Sequence, residues 1–483
     1  MKSYLDASRG EIMEQAALLI ERSLRNYYGD ESEKALQRLQ INPKDKGALG
    51  NVVEVLHFGL ELNQRPGPDF IAAGIELKTT GFKTLQSGQL VAKERLPLGM
   101  INYMRYKDPA QCDFETGGIL YKSRLLLLMA YLYEANVEIV DLVFRLIDLW
   151  EFPESDLEII RQDWKVIMDK IRGGKAHELS EGDTFYLSTS TAGGGHGRVQ
   201  DQPFSTEKAK PRKFSLKQPY LNHIFAVLSG KVGQNYGRFI SDADLLKQKK
   251  SFEQIVLEMF EKFKGMSLSE MADSLGIVLN PTAKHFAALL TKAVLQIHLD
   301  AEIEEFDKAG IIIKTVRLEP NDKPRQSISF PAFEYTHLVN ETWETSDFKN
   351  YLDSKFLLVF FQYDGAEDDS KSTLYFKKAV FWNMPDTDID VARDAWERTV
   401  RVVREGQIVR GFATDRNGKV TRITRFPGMK DNPVAHARPH GSDAKDTYRL
   451  PVPDKHTGES EYTKYCFWIN NNYVRDNIYH ATQ

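Results

Sequence analysis

An aspartate, a glutamate and a lysine stand close together in the stretch GPDFIAAGIELKTTGF, from Gly67 to Phe82. Ile71 to Thr79 alternates as a β-strand does, and residues two apart on a strand face the same side, so Glu76 and Lys78 project together. A Pro-Gly break just before this stretch lets the chain turn back, which can bring Asp69 beside the pair. An isolated Glu-X-Lys triplet on an exposed strand edge is the alternative interpretation.

Two carboxylates and an ammonium in one pocket are suited to Mg²⁺, which binds through one or two carboxylates and a substrate phosphate. Such an ion stabilises negative charge on a phosphate under attack and makes water a better nucleophile. Lys78 would orient or deprotonate the attacking water. The spacing therefore predicts a site for phosphodiester hydrolysis.

Much of the first half of the chain is repeated, in the same order, in the second half. KAGIIIKTV corresponds to AAGIELKTT, and AWERTVRVVREGQ with Trp396 corresponds to DWKVIMDKIRGGK with Trp164. An internal duplication is the most economical explanation. The second copy keeps the lysine of the motif as Lys314, but its glutamate has become Ile312, and an apolar side chain cannot bind Mg²⁺.

Length and pattern divide the chain into three parts. Its 483 residues exceed one ordinary core, and we expect domains over residues 1–230 and 300–483 with a helical connector over 231–299. The connector has a loose helix-turn-helix pattern, which leaves a DNA-reading element as the alternative. Within the first domain, Arg124 to Tyr133 indicates a buried strand and Asp156 to Arg172 a helix.

Composition narrows the class of protein. With 42% hydrophobic and 27% charged residues, the chain is typical of soluble globular proteins. Its two cysteines, Cys112 and Cys466, are too few for a disulfide framework, so we expect a reducing, cytoplasmic location. We expect no signal peptide, membrane span or membrane partner, because no apolar run is long enough. A net charge of −4 argues against indiscriminate polyanion binding but leaves local basic patches open.

Five segments carry a resemblance to a known family: KDKGALGNVVE, DFIAAGIELKT, FETGGILYK, DWKVIMDKIRGGK and FSLK. In this order they resemble the mismatch-repair nicking endonuclease MutH and the related type II restriction enzymes. The two-copy layout is similar to the longer of these, the Sau-three-A type, which cuts GATC. The resemblance implies the α/β class, with a mixed sheet and flanking helices, and two PD-(D/E)XK MutH-like nuclease domains joined by the helical connector.

The same resemblance implies roles for particular residues of the first copy. Glu54 falls on the active-site glutamate of an upstream helix, and Lys122 falls on a later active-site lysine. Lys46 takes the place of a DNA-contacting lysine. Read from the residues alone, Glu54 and Lys122 could equally be solvated surface charges. The implied catalytic set is Asp69, Glu76, Lys78, Glu54 and Lys122, with Asp69 and Glu76 as the ligands of Mg²⁺.

DNA contacts are expected in each copy. Members of the family end one strand in Arg-Pro, whose arginine reaches the bases; the second copy keeps Arg438-Pro439, whereas the first has Ser190-Thr191 there. A basic loop after this strand could supply phosphate and base contacts instead, with a solvated charge run as the alternative. The basic residues of this loop are Lys208, Lys210, Arg212, Lys213 and Lys217.

The second copy differs from the family pattern at both acidic positions of the motif and at the later lysine. Glu305, Ile312 and Asp353 stand where the family has its aspartate, its glutamate and the later lysine. We therefore expect no hydrolysis there. Arginine is well shaped for a bidentate contact with guanine, so this copy is expected to read DNA through Arg438. The resemblance to the Sau-three-A type implies that it acts as an allosteric effector. A stabilising relic of the duplication is the alternative.

The resulting hypothesis is a Mg²⁺-dependent type II restriction endonuclease with GATC-like specificity. Its partner is double-stranded DNA, and the resemblance implies two recognition sites. DNA-dependent self-association is expected because one active site per chain faces two strands, with two sequential nicks as the alternative. A strand-nicking repair endonuclease is one alternative, although such enzymes are single-copy. A non-catalytic DNA-binding regulator is another, and the intact acidic motif of the first copy argues against it.

Overall fold

The structure is a computed structural model. It describes residues 3–42, 45, 47–62, 67–84, 90–116, 119–192, 198–230, 235–240, 246, 250–278, 280, 286–365, 372–414, 418 and 420–482. The chain forms two compact units, each assembled from two stretches. The first unit comprises Met1–Phe252 and Ile297–Gly310, and the second comprises Glu253–Gln296 and Ile311–Gln483.

Both units contain α-helices and β-strands. The described α-helices are α1 (Arg9–Ala17), α2 (Leu24–Tyr28), α3 (Glu31–Arg38), α4 (Ala48–Val52), α5 (Ile119–Ser123), α6 (Glu154–Arg172), α7 (Gln218–Leu228), α8 (Phe252–Glu261), α9 (Leu268–Leu275), α10 (Phe286–Val294), α11 (Glu304–Ala309), α12 (Tyr335–Leu338), α13 (Asp347–Leu352), α14 (Asp386–Arg404) and α15 (Asn471–Tyr473). The described strands are β1 (Ile75–Thr84), β2 (Leu90–Ala92), β3 (Leu96–Met100), β4 (Leu125–Leu132), β5 (Phe144–Glu151), β6 (Leu187–Thr191), β7 (Arg212–Leu216), β8 (Tyr236–Gly237), β9 (Glu302–Ile303), β10 (Ile312–Leu318), β11 (Ile328–Ala332), β12 (Phe356–Tyr363), β13 (Leu374–Trp382), β14 (Val409–Thr414), β15 (Val420–Thr424), β16 (Ala435–Pro439), β17 (Thr447–Arg449), β18 (Glu461–Thr463) and β19 (Tyr465–Ile469).

The larger sheet of the first unit has the strand order β2-β1-β4-β5. β1 and β4 run parallel, and the other two pairs are antiparallel. The centre of β4, Leu126 to Ala130, is fully buried, as the apolar run predicted. The strand expected from Ile71 begins later, at Ile75, because the preceding residues form a turn that ends at Gly74 with φ +67°. Glycine adopts this left-handed conformation without steric cost.

A second sheet of the first unit has the order β3-β7-β6, and α6 packs beside it. The predicted helix over 156–172 is confirmed, with its start two residues earlier. Ile160, Trp164, Ile167 and Ile171 recur at helical spacing and are all buried. The Trp164 indole Nε1 donates a hydrogen bond of 2.8 Å to the Cys112 carbonyl oxygen. The apolar stripe of α6 therefore fixes the helix against the core.

The second unit contains two sheets of the same design. The order β10-β12-β13 corresponds to β1-β4-β5, and the order β11-β19-β16 corresponds to β3-β7-β6. Both units also contain a 19-residue helix that follows a proline and carries a tryptophan at its eleventh position, Trp164 in α6 and Trp396 in α14. The mixed α/β class is confirmed, and the matching topologies support the duplication.

Strand register shows which residues are equivalent in the two units. Glu76 pairs with Leu126 across β1 and β4, while Ile312 pairs with Phe356 across β10 and β12. Leu126 in turn pairs with Trp150 of β5, and Phe356 pairs with Trp382 of β13. β6 and β16 are likewise five-residue strands whose first residues pair with the last residues of β7 and β19. Ile312 is thus the counterpart of Glu76, and the fourth residues of β6 and β16 are counterparts as well.

The expected connector, residues 231–299, contributes to both compact units in its described part. β8 belongs to the first unit, whereas most of α8 and all of α9 and α10 belong to the second. The following segment, with β9 and α11, belongs to the first unit. There the Lys308 ammonium is buried and lies 2.9 Å from the Asp156 carboxylate and 2.8 Å from that of Glu304. These ion pairs hold the segment in place.

None of the described helices combines the length and the apolar character that crossing a bilayer would require.

The Asp163 carboxylate of α6 holds the segment that leads into β6 through hydrogen bonds. It is 1% exposed and accepts backbone N–H bonds of 2.7 to 2.9 Å from Phe185, Tyr186 and Leu187. Asp163→Ala should lower the free energy of unfolding by about 3 kcal/mol or more, because buried donors lose their acceptor. Urea unfolding measures this loss. Asp169→Ala, at an exposed position of the same helix, should change stability by less than about 0.5 kcal/mol.

Candidate active site

A short hairpin places Asp69 opposite Glu76. Phe70 and Ile75 exchange backbone hydrogen bonds of 2.9 and 3.2 Å, so the residue before Phe70 faces the residue after Ile75. The Leu77 N–H donates a 2.9 Å hydrogen bond to Asp69 Oδ2 and fixes this carboxylate. The turn lies at Ile71 to Gly74, within the stretch expected to be strand and not at the Pro-Gly break, and it brings the two acids of the motif together.

The Glu76 side chain lies inside the protein at 1% exposure. Its Oε1 lies 2.7 Å from the Lys78 ammonium and 3.1 Å from that of Lys122, which projects from α5. No hydrogen-bond donor among the described residues reaches Glu76 Oε2, although this atom is buried. A buried carboxylate oxygen without a partner is unfavourable, so this atom is suited to a cation or a bound water.

Glu54 approaches the same cleft from a helix. It lies in a π-helical turn, Val53–His57, that continues directly from α4, and single π turns are frequent at functional sites. The cleft has a volume of about 330 Å³. Its lining residues are Asn51, Glu54, Leu62, Asp69, Glu76, Lys78 and Lys122. All five residues of the expected catalytic set therefore line one cleft.

Burial and the negative charge of neighbouring acids raise the pKa values of Glu54 and Glu76. Burial, followed by the negative charge of Asp69, raises the pKa of Glu54 to about 7. Burial also raises the pKa of Glu76, while Lys78 and Lys122 act in the opposite direction. Three carboxylates face two ammonium groups here, which leaves an excess of negative charge. The cleft is therefore electrostatically suited to a divalent cation.

Two lining residues, Asn51 and Leu62, were not identified from the sequence. Asn51 precedes Glu54 by three residues on the same helix, a spacing that places both on one face. That spacing was the available signal. Leu62 is 42% exposed at the mouth of the cleft and carries no chemical signal of its own.

Arg212 and Lys217 do not form part of a DNA-contacting loop, and this expectation was wrong. Arg212 opens β7, is 1% exposed and donates from Nη1 to the Thr189 carbonyl oxygen at 2.7 Å. Lys217 is buried at the end of the same strand and donates from Nζ to the Thr184 carbonyl oxygen. Both cations satisfy backbone carbonyls inside the fold, so they cannot reach DNA.

The remaining basic residues differ in exposure. Lys208 is exposed and lies 3.5 Å from the Asp201 carboxylate, whereas Lys210 and Lys213 are half-buried. Lys46 lies outside the described residues. Of the expected basic loop, Lys208 is therefore the most accessible to a phosphate.

The counterpart site of the second unit has no acid at the Glu76 position. Lys314 is largely buried and donates a 2.8 Å hydrogen bond to the Ser329 carbonyl oxygen, and burial lowers its pKa. Asp353 is buried beside Lys349. Glu305 lies in α11 and accepts the Ile240 N–H at 3.1 Å, so it is engaged within the first unit.

Arg438 and Pro439 end β16 and are both exposed. The Arg438 guanidinium lies over the Trp468 ring, 5.1 Å from its centroid. Stacking of this kind orients a guanidinium without using its hydrogen-bond donors. These donors remain available to a ligand.

The raised pKa of Glu54 gives a pH dependence that can be tested on metal-free protein. Because the folded chain binds this proton more tightly than the unfolded chain, the contribution of Glu54 to stability is lost as the pH rises from about 4.5 to about 7. Glu54→Gln should therefore be stabilised relative to wild type at pH 7.5, on the order of 2 kcal/mol, and less so at pH 5. Urea unfolding in a chelator measures this.

Glu14→Gln is the matched control, since it neutralises an exposed carboxylate of the same unit. Its stability difference from wild type should be the same at both pH values. Parallel pH profiles for wild type and Glu54→Gln would contradict the assigned pKa.

Comparison with known proteins agrees with this geometry. The family model for the DNA mismatch repair enzyme MutH matches residues 58–163 and again residues 298–394. MutH from Shewanella woodyi is 26% identical over 38% of this chain and 77% of its own length. MutH from Shewanella baltica is 25% identical over 44% of this chain and 95% of its own length. These relatives therefore correspond to one copy of the duplicated pattern.

The type II restriction enzyme Sau3AI from Staphylococcus aureus is similar over both copies. It is 32% identical to this chain, and the alignment covers 99% of each protein. The whole two-unit layout, and not the first unit alone, is therefore shared. The chain belongs to the family of type II restriction endonucleases that includes Sau3AI and is related to MutH.

Proposed function

We propose that this endonuclease cuts double-stranded DNA at GATC-like sites with Mg²⁺, using the cleft of the first unit. The observation that carries the proposal is the pairing of Asp69 with a buried Glu76 that two lysines contact. A structural ion pair would not need a second acid opposite it, nor would it leave one carboxylate oxygen without a partner. The predicted GATC specificity follows from the likeness to Sau3AI.

The residues of the cleft fit Mg²⁺. Asp69 and Glu76 would hold the ion, since both line the cleft and Glu76 Oε2 has no protein partner among the described residues. Bound there, the ion would offset charge on the scissile phosphate and increase the acidity of the attacking water. Glu54, whose pKa is about 7, would lose its proton readily in the field of a cation.

The two lysines have distinct positions in this mechanism. Lys78 Nζ, held 2.7 Å from Glu76 Oε1, would orient the attacking water. Lys122 Nζ, at 3.1 Å from the same oxygen, stands on a separate helix and would bind the phosphate. Both are partly exposed at the cleft, so their ammonium groups can reach a substrate. Two cations around one phosphate stabilise charge that develops during hydrolysis.

One cleft per chain cannot attack both DNA strands at once. We therefore propose that two chains meet on DNA, or that one chain makes two sequential nicks. The cytoplasm is the proposed location, and both cysteines are free thiols, as a reducing compartment would keep them.

The second unit is proposed as an allosteric effector that binds another recognition site. Ile312 removes the metal ligand, and Lys314 is engaged by a backbone carbonyl, so chemistry is not supported there. Arg438 is exposed at the end of β16, at the register position that Ser190 occupies in the first unit. An arginine there could contact a guanine edge, which would give this unit sequence preference without cleavage.

Glu76→Ala tests the active site. Losing the buried ligand should lower the cleavage rate by about 10³-fold or more, while DNA binding in a gel shift should persist or tighten. Plasmid digestion with Mg²⁺, and with chelator as the negative control, measures the rate. Glu14→Ala, at an exposed carboxylate of the same unit, should cut like wild type. Near-normal cutting by Glu76→Ala would rule out the assigned site.

Arg438→Ala tests the effector. The substitution should cost about 1 to 3 kcal/mol of binding at the second site and leave the cleft untouched. Wild type should cut a one-site plasmid poorly and be stimulated by a short GATC duplex in trans; the variant should not be stimulated. Arg401→Ala removes an exposed arginine of the same unit and should behave like wild type. Equal cutting of one-site and two-site plasmids by wild type would refute the effector role.

A further inference from the structure

A two-stranded ribbon, β14 and β15, projects as a separate sheet in the second unit. Its strands pair antiparallel, with Phe412 opposite Arg422 and Thr414 opposite Val420. Every described residue of the ribbon from Phe412 to Arg422 is exposed, on both faces. The apolar side chains Phe412 and Val420 are 52% and 62% exposed. Val409 anchors the ribbon in the core, but the part from Phe412 to Arg422 contributes little to it, which suggests that something outside the unit contacts this part.

The ribbon is an addition to the duplicated pattern. In the first unit 14 residues, 173–186, separate α6 from β6. In the second unit 30 residues, 405–434, separate the corresponding helix α14 from β16. The ribbon, residues 409–424, is 16 residues long and accounts for the difference. It was therefore acquired or kept by the copy that has lost its acids.

The ribbon is strongly basic within an acidic chain. The ribbon and the residue that follows it, 409 to 425, have five cations and one acid, a net charge of +4, whereas the whole chain carries −4. Arg422 pairs with Glu459 at 2.7 Å, but Arg410 and Arg425 are exposed and form no ion pair with any described residue. The cations are Arg410, Arg416, Lys419, Arg422 and Arg425, and the acid is Asp415. This charge is complementary to a polyanion.

The base of the ribbon is joined to β16, the strand that carries Arg438. The Ala437 N–H donates a 2.9 Å hydrogen bond to the Pro427 carbonyl oxygen, just beyond β15. The Arg425 N–H donates a 2.9 Å bond to the Ile408 carbonyl oxygen, which closes the ribbon. Arg410, Arg425 and Arg438 therefore lie on segments that backbone hydrogen bonds connect directly.

We propose that this ribbon enters the major groove of double-stranded DNA when the second unit binds a recognition site. The major groove admits a two-stranded β-ribbon, and Arg410 and Arg425 would contact the phosphates on its borders. Phe412 and Val420 lie on one face of the ribbon, because Thr414 stands opposite Val420, and this face could contact thymine methyl groups. The inference rests on the proposed DNA-binding role of the second unit and extends it to specific residues.

Arginine footprinting on the full-length Glu76→Ala protein tests the proposal directly. Phenylglyoxal modification is followed by mass spectrometry with and without a molar excess of a short GATC duplex. Arg410 and Arg425 should be modified more slowly with the duplex, while exposed Arg401 on α14 should be modified at the same rate. Unchanged modification of Arg410 and Arg425 in the bound complex would overturn the proposal. Protection that needs high protein concentration and no DNA would assign the ribbon to self-association instead.

The double variant Arg410→Ala/Arg425→Ala provides an independent measurement. The plot of log affinity against log salt concentration has a negative slope. Removing two phosphate contacts should make this slope less steep by about 2. Lys262→Ala/Arg401→Ala removes two exposed cations of the same unit and should leave the slope unchanged. An unchanged slope for the ribbon variant would also count against the proposal.

These outcomes are distinct from those that test the proposed function. Mg²⁺-dependent cutting by wild type without protection of Arg410 and Arg425 would keep the nuclease assignment and reject the ribbon. Protection of both arginines without any Mg²⁺-dependent cutting would keep the ribbon as a DNA contact and reject the proposed cleavage.

Discussion

The Glu76 carboxylate lies at 1% exposure on a strand buried by its parallel neighbour, and the groups around it offset the cost of burying a charge. Lys78 comes from the same strand, Lys122 from α5, and Asp69 from the preceding turn. Each element is placed by contacts that do not involve the site: β1 by its ladder with β4, and the turn by the Phe70 bridge. The cleft therefore depends on the position of Glu76 on β1, which β4 and the preceding turn hold in place.

The duplicated framework keeps this geometry and changes its chemistry. At the counterpart of Glu76 the second unit has Ile312, so no buried charge needs partners there. Lys314, no longer opposite an acid, donates to the Ser329 carbonyl oxygen. The freed lysine thus becomes part of the hydrogen bonding between strands. A site can lose its acids without disturbing the sheet, because the cation finds a backbone acceptor within reach.

The sequence predicted the elements that carry periodic or local signals, and it failed where burial depends on distant partners. The strand with Glu76, the apolar strand β4 and helix α6 were predicted because alternation, apolar runs and helical spacing are visible in a short window. Arg212 and Lys217 were assigned to a loop because the stretch that contains them is rich in Gly, Pro and Lys, yet both are buried and donate to carbonyls of a neighbouring segment. The sequence predicted that Asp69 lies beside Glu76, but neither the hydrogen bond from Leu77 to Asp69 nor the π turn at Glu54 had a sequence signal. The roles of these residues in cleavage stay predictions.

The positions of Glu76 and Ser190 lie on different sheets of the first unit, and their counterparts Ile312 and Arg438 lie on the two matching sheets of the second. A substitution in one sheet leaves the backbone ladder of the other intact. The residue at either position can therefore change without disturbing the sheet that carries the other. The two halves could diverge at these positions by one substitution at a time, and no intermediate had to change both sheets at once.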